Sequence, residues 1–169
     1  MYRSEQLLFF KGGVSMKLKK TRFDILLNVL CLLQLIGITL FLLICWARIP
    51  QQIPMHYDLG GNITRWGNKA ELIIIPVLAW IMYLLMTVLE YFPQAWNTGV
   101  QVTEHNRTRV YATLLHMISS LKFLITCLYT YSILQTALML ELPSWFLFAV
   151  IALLCGDIGY WMYRLWKCK

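Results

Sequence analysis

Apolar residues along this chain gather into four long runs, and polar, Gly- and Pro-bearing stretches separate them. The runs cover residues 24–48, 70–92, 110–140 and 143–166, with ends uncertain by a few positions. Each approaches or exceeds the ~20 apolar residues that a bilayer core demands. Stretches such as "LLNVLCLLQLIGITLFLLIC" do not alternate in polarity, which excludes transmembrane strands. Backbone groups in lipid must be satisfied within the segment, so the runs predict helices. The third run exceeds what a crossing needs and is expected to tilt or to continue beyond the membrane. The expectation is an all-α integral membrane protein: a basic tail over 1–23, then one four-helix membrane domain over 24–169.

Composition agrees. Hydrophobic residues make up 59% of the chain and charged residues 14%, with a mean hydropathy of +0.61, whereas soluble domains carry roughly a quarter charged residues. The net charge of +7 is therefore read as a sidedness signal and not as a nucleic-acid footprint. Arg3, Lys11, Lys17, Lys19, Lys20 and Arg22 precede the first run. Arg107 and Arg109 stand before the third, and Arg164, Lys167 and Lys169 close the fourth. The opposite side holds only Arg48, Arg65 and Lys69. Both termini are expected in the cytoplasm and the first long loop outside, in a bacterial inner or plasma membrane. Trp46, Trp66 and Trp145 then fall near the outer face, and Tyr91, Trp96, Tyr111, Trp161 and Trp166 near the inner one. The first apolar run is too long for a signal-peptide core, and no small-residue cleavage site follows it.

Two further features of the sequence bear on processing. "MYRSEQLLFFKGGVS" precedes "MKLKKTRFDILL", which reads as a membrane-protein start by itself. Lys11-Gly12-Gly13 can be encoded by a purine-rich run resembling a ribosome-binding sequence, so translation is expected to begin at Met16; a genuine short tail is the alternative. The five cysteines show neither CxxC nor metal spacing, and no disulfide framework is expected. Asn62-Ile63-Thr64 matches the glycosylation triplet, but a bacterial origin would leave it unmodified.

The first loop carries the densest polar chemistry, "IPMHYDLGGNITRWGNKAEL". Pro50 and Pro54 stop the first helix and favour extended backbone. Gly60 and Gly61 allow a tight turn, and Gly67 allows a second. Asn68 is placed to cap the second helix, with Glu71 as the acid of a capping box. Tyr57 and Trp66 suit the headgroup level. Turn chemistry this dense predicts a structured extracellular cap. His56 and Asp58 lie two apart in an extended segment and so point the same way. Together they could bind a metal, move a proton or grip a peptide. Two ligands are too few for a metal site unless Glu141 approaches, and no metal or cofactor is expected.

"IPQQIPMHYDLGGNITRWGNKAELIIIPVL" resembles the short domain of unknown function at the N-terminal end of SdpI-type membrane proteins. The matching positions are Pro50, Ile53, Pro54, His56, Tyr57, Asp58, Gly60 or Gly61, Trp66, Gly67, Asn68, Lys69 and Pro76. A weaker echo, "VQVTEHNRTRVYATLLHMISSLKFLI", is similar to the loop and third helix of small stand-alone members. The resemblance implies a role in recognition, immunity or signalling. Longer relatives protect against a secreted peptide toxin and pass a signal to a regulator. The additional C-terminal helices of those longer proteins do not appear in this sequence. The implied partners are the lipid bilayer, a peptide toxin or a regulator protein, with a homo-oligomer left open. Pro54, His56, Tyr57, Asp58, Gly61, Trp66, Gly67, Asn68 and Lys69 are the expected contact residues.

The third run is not uniformly apolar. Thr113, His116, Ser119, Ser120, Lys122, Thr126 and Thr130 share a broad face at helical spacing. Ala152, Gly156 and Gly159 in the fourth run are small enough to let helices pack closely. Ionisable side chains inside a membrane face protein or water and find partners. His116, Lys122 and Asp157 are thus expected to form one polar cluster, with Asp157 as the shared acceptor. A transporter or proton-coupled subunit using this face is the second functional class. A membrane enzyme acting through His56 and Asp58 is the third, although no nucleophile stands beside a base.

Overall fold

The computed structural model describes residues 6–11 and 14–169, with side chains from Leu18 onward. Gly12 and Gly13, which enter the Met16 start expectation, lie outside the described residues. The four apolar runs are helices: α1 (Arg22–Cys45), α2 (Ile74–Glu90), α3 (Arg107–Ala137) and α4 (Phe146–Trp166). With its adjoining 3-10 turns, each is long and apolar enough to cross a membrane.

Two antiparallel hairpins, not read from the sequence as strands, accompany the helices. The first pairs β1 (Gln6–Lys11) with β2 (Val14–Lys19) within the basic tail. The second pairs β3 (Gln52–Tyr57) with β4 (Ile63–Asn68) and forms the expected structured loop. The description "all-α" therefore needs correcting to a helical membrane domain carrying a hairpin at each end. Strands escaped notice in the loop because its turn residues are far more conspicuous than its short apolar alternation.

Local chemistry fixes where the helices begin and end. Thr21 and Asp24 form a reciprocal capping box at the start of α1. After Cys45 the chain tightens into a 3-10 turn, Trp46–Arg48, and leaves the helix before Pro50. Asn68 and Glu71 form a second capping box at a 3-10 turn, Lys69–Ile73, which runs into α2. Before α3, Thr103 and Asn106 exchange backbone-to-side-chain bonds of 2.7 and 3.3 Å.

α3 is the central helix. Half of its most apolar window is buried in the protein, against 6% for α4. At ~1.5 Å per residue, 31 residues extend to about 46 Å, well beyond a ~30 Å hydrocarbon core. The first turns of α3 are covered by protein. Val110, Tyr111, Leu114, Leu115 and Ile118 pack with Leu18 of β2, Trp96 of the α2–α3 connection and Leu165 and Cys168 at the end of α4. A second cluster closes the other end, where Ile38, Leu42, Ile133 and Ala137 meet Ile49, Ile53 and Leu72 around the β3–β4 hairpin. Cys31, Leu35, Ala79 and Tyr83 lie between them.

Elsewhere the helices expose large apolar side chains, among them Leu33, Leu43, Leu85, Phe148 and Leu153. Such exposure suits lipid as the surrounding solvent. One packing expectation is corrected here. Gly156 and Gly159 do not support a close helix contact within the chain, because a Cβ added at either meets nothing within 4 Å. α4 turns that side outward, while Asp157, Trp161 and Leu165 face α3.

Candidate functional site

Two sites are assembled, one at each end of the bundle. The first is the β3–β4 hairpin. Ile53 and Pro54 are buried beneath it, whereas β4 is exposed at every position but Gly67. Irregular register on both sides of His56 marks a bulge. His56 does not act with Asp58. Its Nδ1 meets Thr64 Oγ1 across the hairpin at 2.5 Å. The Asp58 carboxylate instead serves its own turn. It accepts from the backbone N–H groups of Gly60 and Asn62 at 2.8 and 2.9 Å, and from the Asn62 side chain at 3.0 Å. These bonds, led by Asn62, hold the Asp58 carboxyl below the usual carboxylate range.

The remaining signature residues tie the hairpin down. Gln135 of α3 donates to the Tyr57 hydroxyl and to the Leu140 carbonyl, both at 2.6 Å. Burial raises the Tyr57 phenol, with the Gln135 bond opposing it. Gly61 has φ +85°, and a Cβ there would stand 2.0 Å from the Leu142 carbonyl oxygen. Its small size lets the hairpin tip close on the α3–α4 connection. A Cβ at Gly67 would meet Glu71 and Met55 at 2.6 Å. Lys69 extends its ammonium to the Trp46 and Ile49 carbonyls at 3.3 and 3.5 Å, and over the Trp46 ring. It thereby places positive charge beside the carbonyls of the 3-10 turn that follows the first helix. Arg65 reaches Glu71 at 3.0 Å. Between these engaged polar groups, three large apolar side chains are exposed: Leu59, Ile63 and Trp66, at 72%, 38% and 51%.

The second site lies where the start of α1, the end of α2 and the first half of α3 meet. The expected Lys122–Asp157 pair is corrected. Lys122 places its three donor protons among Glu90 Oε1 (2.5 Å), Asn28 Oδ1 (2.9 Å) and Thr87 Oγ1 (3.3 Å). Glu90 completes itself through Oε2, 2.7 Å from Lys20. Asp157 instead accepts from Ser120 and Trp161. The reason is angular. Two residues along a helix rotate by about 200°, so Ser120 and Lys122 leave α3 on opposite sides. Ser120 faces α4, and Lys122 faces α1 and α2.

His116 also differs from expectation. It shares the Ser120 side of α3, yet its Nδ1 bonds Asp24 Oδ1 at 2.7 Å. Its ring packs edge-on to Phe23 and tilted against Trp161, which is itself bonded to Asp157. His116, Lys122 and Asp157 thus sit in adjoining networks rather than around one acceptor. Lys122, Glu90 and Asp24 are all at most 2% exposed.

Sequence reasoning missed Glu90, Asp24, Lys20 and Asn28. A signal was present, since Asp24 and Glu90 are acids that fall inside apolar runs near their ends.

Comparison with known proteins covers the hairpin and the helix ends that flank it. Residues 33–80 match a family described as a domain of unknown function (DUF1648). That region runs from the middle of α1 through both strands into α2. An uncharacterized protein of Archaeoglobus fulgidus is 29% identical over 66 residues, covering 34% of this chain and 36% of that protein. The chain therefore spans about a third of that relative's length. No solved structure matches the chain.

Proposed function

We propose that this is a small membrane protein of recognition, immunity or signalling, SdpI-like in its outer loop, which contacts a peptide partner through the β3–β4 hairpin. Both termini lie in the cytoplasm of a bacterial cell and the hairpin faces outward, as the Lys and Arg asymmetry favours. One observation carries the reading. His56, Asp58, Thr64, Arg65 and Asn68 make bonds within the protein, while β4 is exposed at every position but Gly67 and presents Ile63 and Trp66. An exposed edge strand is a template for an added extended segment, and a rigid one loses little entropy when the segment pairs. Trp66 holds this edge at the depth where a membrane-active peptide would travel.

A photo-reactive residue at Ile63 tests the proposal in cells producing the full chain, with the same group at Leu153 as a lipid-facing control. The expected product is a discrete peptide adduct at position 63 that is absent at 153 and lost in Trp66→Ala. Lipid adducts alone at both positions would remove the hairpin from any recognition role.

A second reading, a proton-coupled membrane subunit, draws support from the His116–Asp24 and Lys20–Glu90–Lys122 groups buried along α3. An outer-face enzyme has less behind it, because His56 and Asp58 are each held by hairpin partners.

A further inference from the structure

At the end of the bundle opposite the β3–β4 hairpin, a cavity of about 420 Å³ opens between the start of α3 and the chain after α4. Gly99, Thr103, His105, Asn106, Arg109 and Lys169 are among its lining residues. We infer that this cavity is a binding site for a phosphate-bearing anion, the headgroup of an acidic phospholipid being the form it fits best.

Three observations converge. The first is charge: Arg109, Lys169 and His105 border one concave space, with Glu104 as the acid adjoining it in sequence. A guanidinium matches two phosphate oxygens at once, and an ammonium adds a mobile point charge. The second is backbone. α3 begins at Arg107 beside the cavity; the Asn106 and Arg107 N–H groups are taken by Thr103, and the start of this long helix still adds partial positive charge there. Thr103 and Asn106 are held by their mutual bonds, and Asn106 also donates to the Gln101 carbonyl at 3.0 Å. The rim is therefore fixed before a ligand arrives. The third is depth. Tyr160, Tyr163 and Trp166 are exposed on the last turns of α4, and Arg164, Lys167 and Lys169 stand over those rings. Aromatic and cationic side chains in this combination mark the headgroup level of a bilayer, where lipid phosphates are concentrated. The volume is larger than an inorganic phosphate fills and falls within the range of ~300–1,000 Å³ that small organic groups occupy.

The inference is independent of the hairpin proposal, which concerns the other end of the molecule. Its test uses the full chain purified in a neutral detergent. Retention of phosphatidylglycerol, phosphatidylcholine and inorganic phosphate is compared by native mass spectrometry and by competition. Phosphatidylglycerol should be retained over phosphatidylcholine. Arg109→Gln should weaken it about five-fold, and Arg109→Gln with Lys169→Gln about twenty-five-fold, from roughly five-fold per cation near a charged surface. Both side chains are exposed, so the variants should melt as the parent does. Glu104→Gln should tighten binding. The control is Arg164→Gln with Lys167→Gln, which removes equal charge outside the lining residues and should leave retention near the parent value. Competition by inorganic phosphate at equal concentration would assign the site to free phosphate. Failure of that competition, with phosphatidylglycerol still retained, would assign it to lipid. Equal loss in the two double variants, or equal retention of phosphatidylcholine, would overturn the inference by showing only diffuse attraction.

Discussion

Glu90 is the residue on which the buried charge network turns, and Glu90→Gln is its sharpest test. The carboxylate is 1% exposed and touches two ammonium groups, Lys122 at 2.5 Å and Lys20 at 2.7 Å. Neutralising it leaves two cations facing a group that has lost its charge. Breaking a buried pair from one side costs about 3–5 kcal/mol. Lys122→Met removes one of those cations instead. Glu90 then keeps Lys20, whose side chain is 10% exposed. Asn28 and Thr87 lose one donor, and Asn28 still accepts from the Tyr83 hydroxyl at 3.1 Å. The expected cost is correspondingly about 1–3 kcal/mol, that of unsatisfied polar groups rather than of an isolated charge. The ranking matters more than either value. Thermal or denaturant unfolding of the purified protein should place Glu90→Gln well below Lys122→Met. The double variant should lie above the sum of the two single losses, because the cation stranded by Glu90→Gln is gone. Additive effects of similar size would refute the network. So would a larger loss from Asp157→Asn than from Glu90→Gln, which would make Asp157 the counter-charge of Lys122 after all.

Three further outcomes are expected. Gly61→Ala combines a left-handed backbone with a Cβ aimed at the Leu142 carbonyl, so it should lower stability by about 1–3 kcal/mol; an unchanged melting temperature would separate the hairpin tip from the α3–α4 connection. Asp58 has a lowered folded pKa, so its contribution is complete above the unfolded value near 4 and is lost as pH falls through the lower folded one. Emission from Trp66, the other tryptophans being replaced by Phe where folding allows, should hold steady from pH 7 down to about 5 and change only under stronger acid. That acid limb should shrink in Asp58→Asn and vanish only when Glu71 is replaced as well, because Asn68 and Arg65 hold the Glu71 carboxyl low beside Trp66 in the same way. Gly156→Ala should stay within about 0.5 kcal/mol of the parent, since the added methyl meets open space; a severe loss would show that this face is covered in an assembly of several copies.

The four helices were legible because hydrophobic run length is a one-dimensional property and lipid imposes it directly. The Asn68–Glu71 capping box was legible for a similar reason, since three residues of spacing contain the whole geometry. The β3–β4 hairpin was half legible. Pro50 and Gly61 announced turns, but the second turn expected at Gly67 is not there, since Gly67 pairs with Ile53 inside β4. The strands depend on the burial of Ile53 against α1, α3 and Leu72, which no local pattern states. His56 and Asp58 misled because the period of two holds for regular strand, and the bulge at His56 breaks it.

The pairing of Lys122 was the least legible feature, and the cause is physical. Composition requires that a buried ammonium find an acid, but several acids, Asp24, Glu90 and Asp157 among them, stand in or beside apolar runs with nothing in their own segments to rank them. Ranking needs the rotation of α3 relative to its neighbours. Once Ser120 is turned toward Asp157 and Trp161, Lys122 is carried by about 200° to the side where α1 starts and α2 ends. Depth then selects Glu90, because a lysine with four methylenes can lean toward the end of the bundle while its stem stays in apolar surroundings. His116 lies on the Ser120 side of α3, so rotation alone does not separate it from Asp157. Its bond to Asp24 at the start of α1 is legible only in the folded structure, where Asp24 and Glu90 become buried partners of the central helix. An acid at the edge of an apolar run therefore cannot be assigned to solvent until the facing helix has been checked for an unmatched cation.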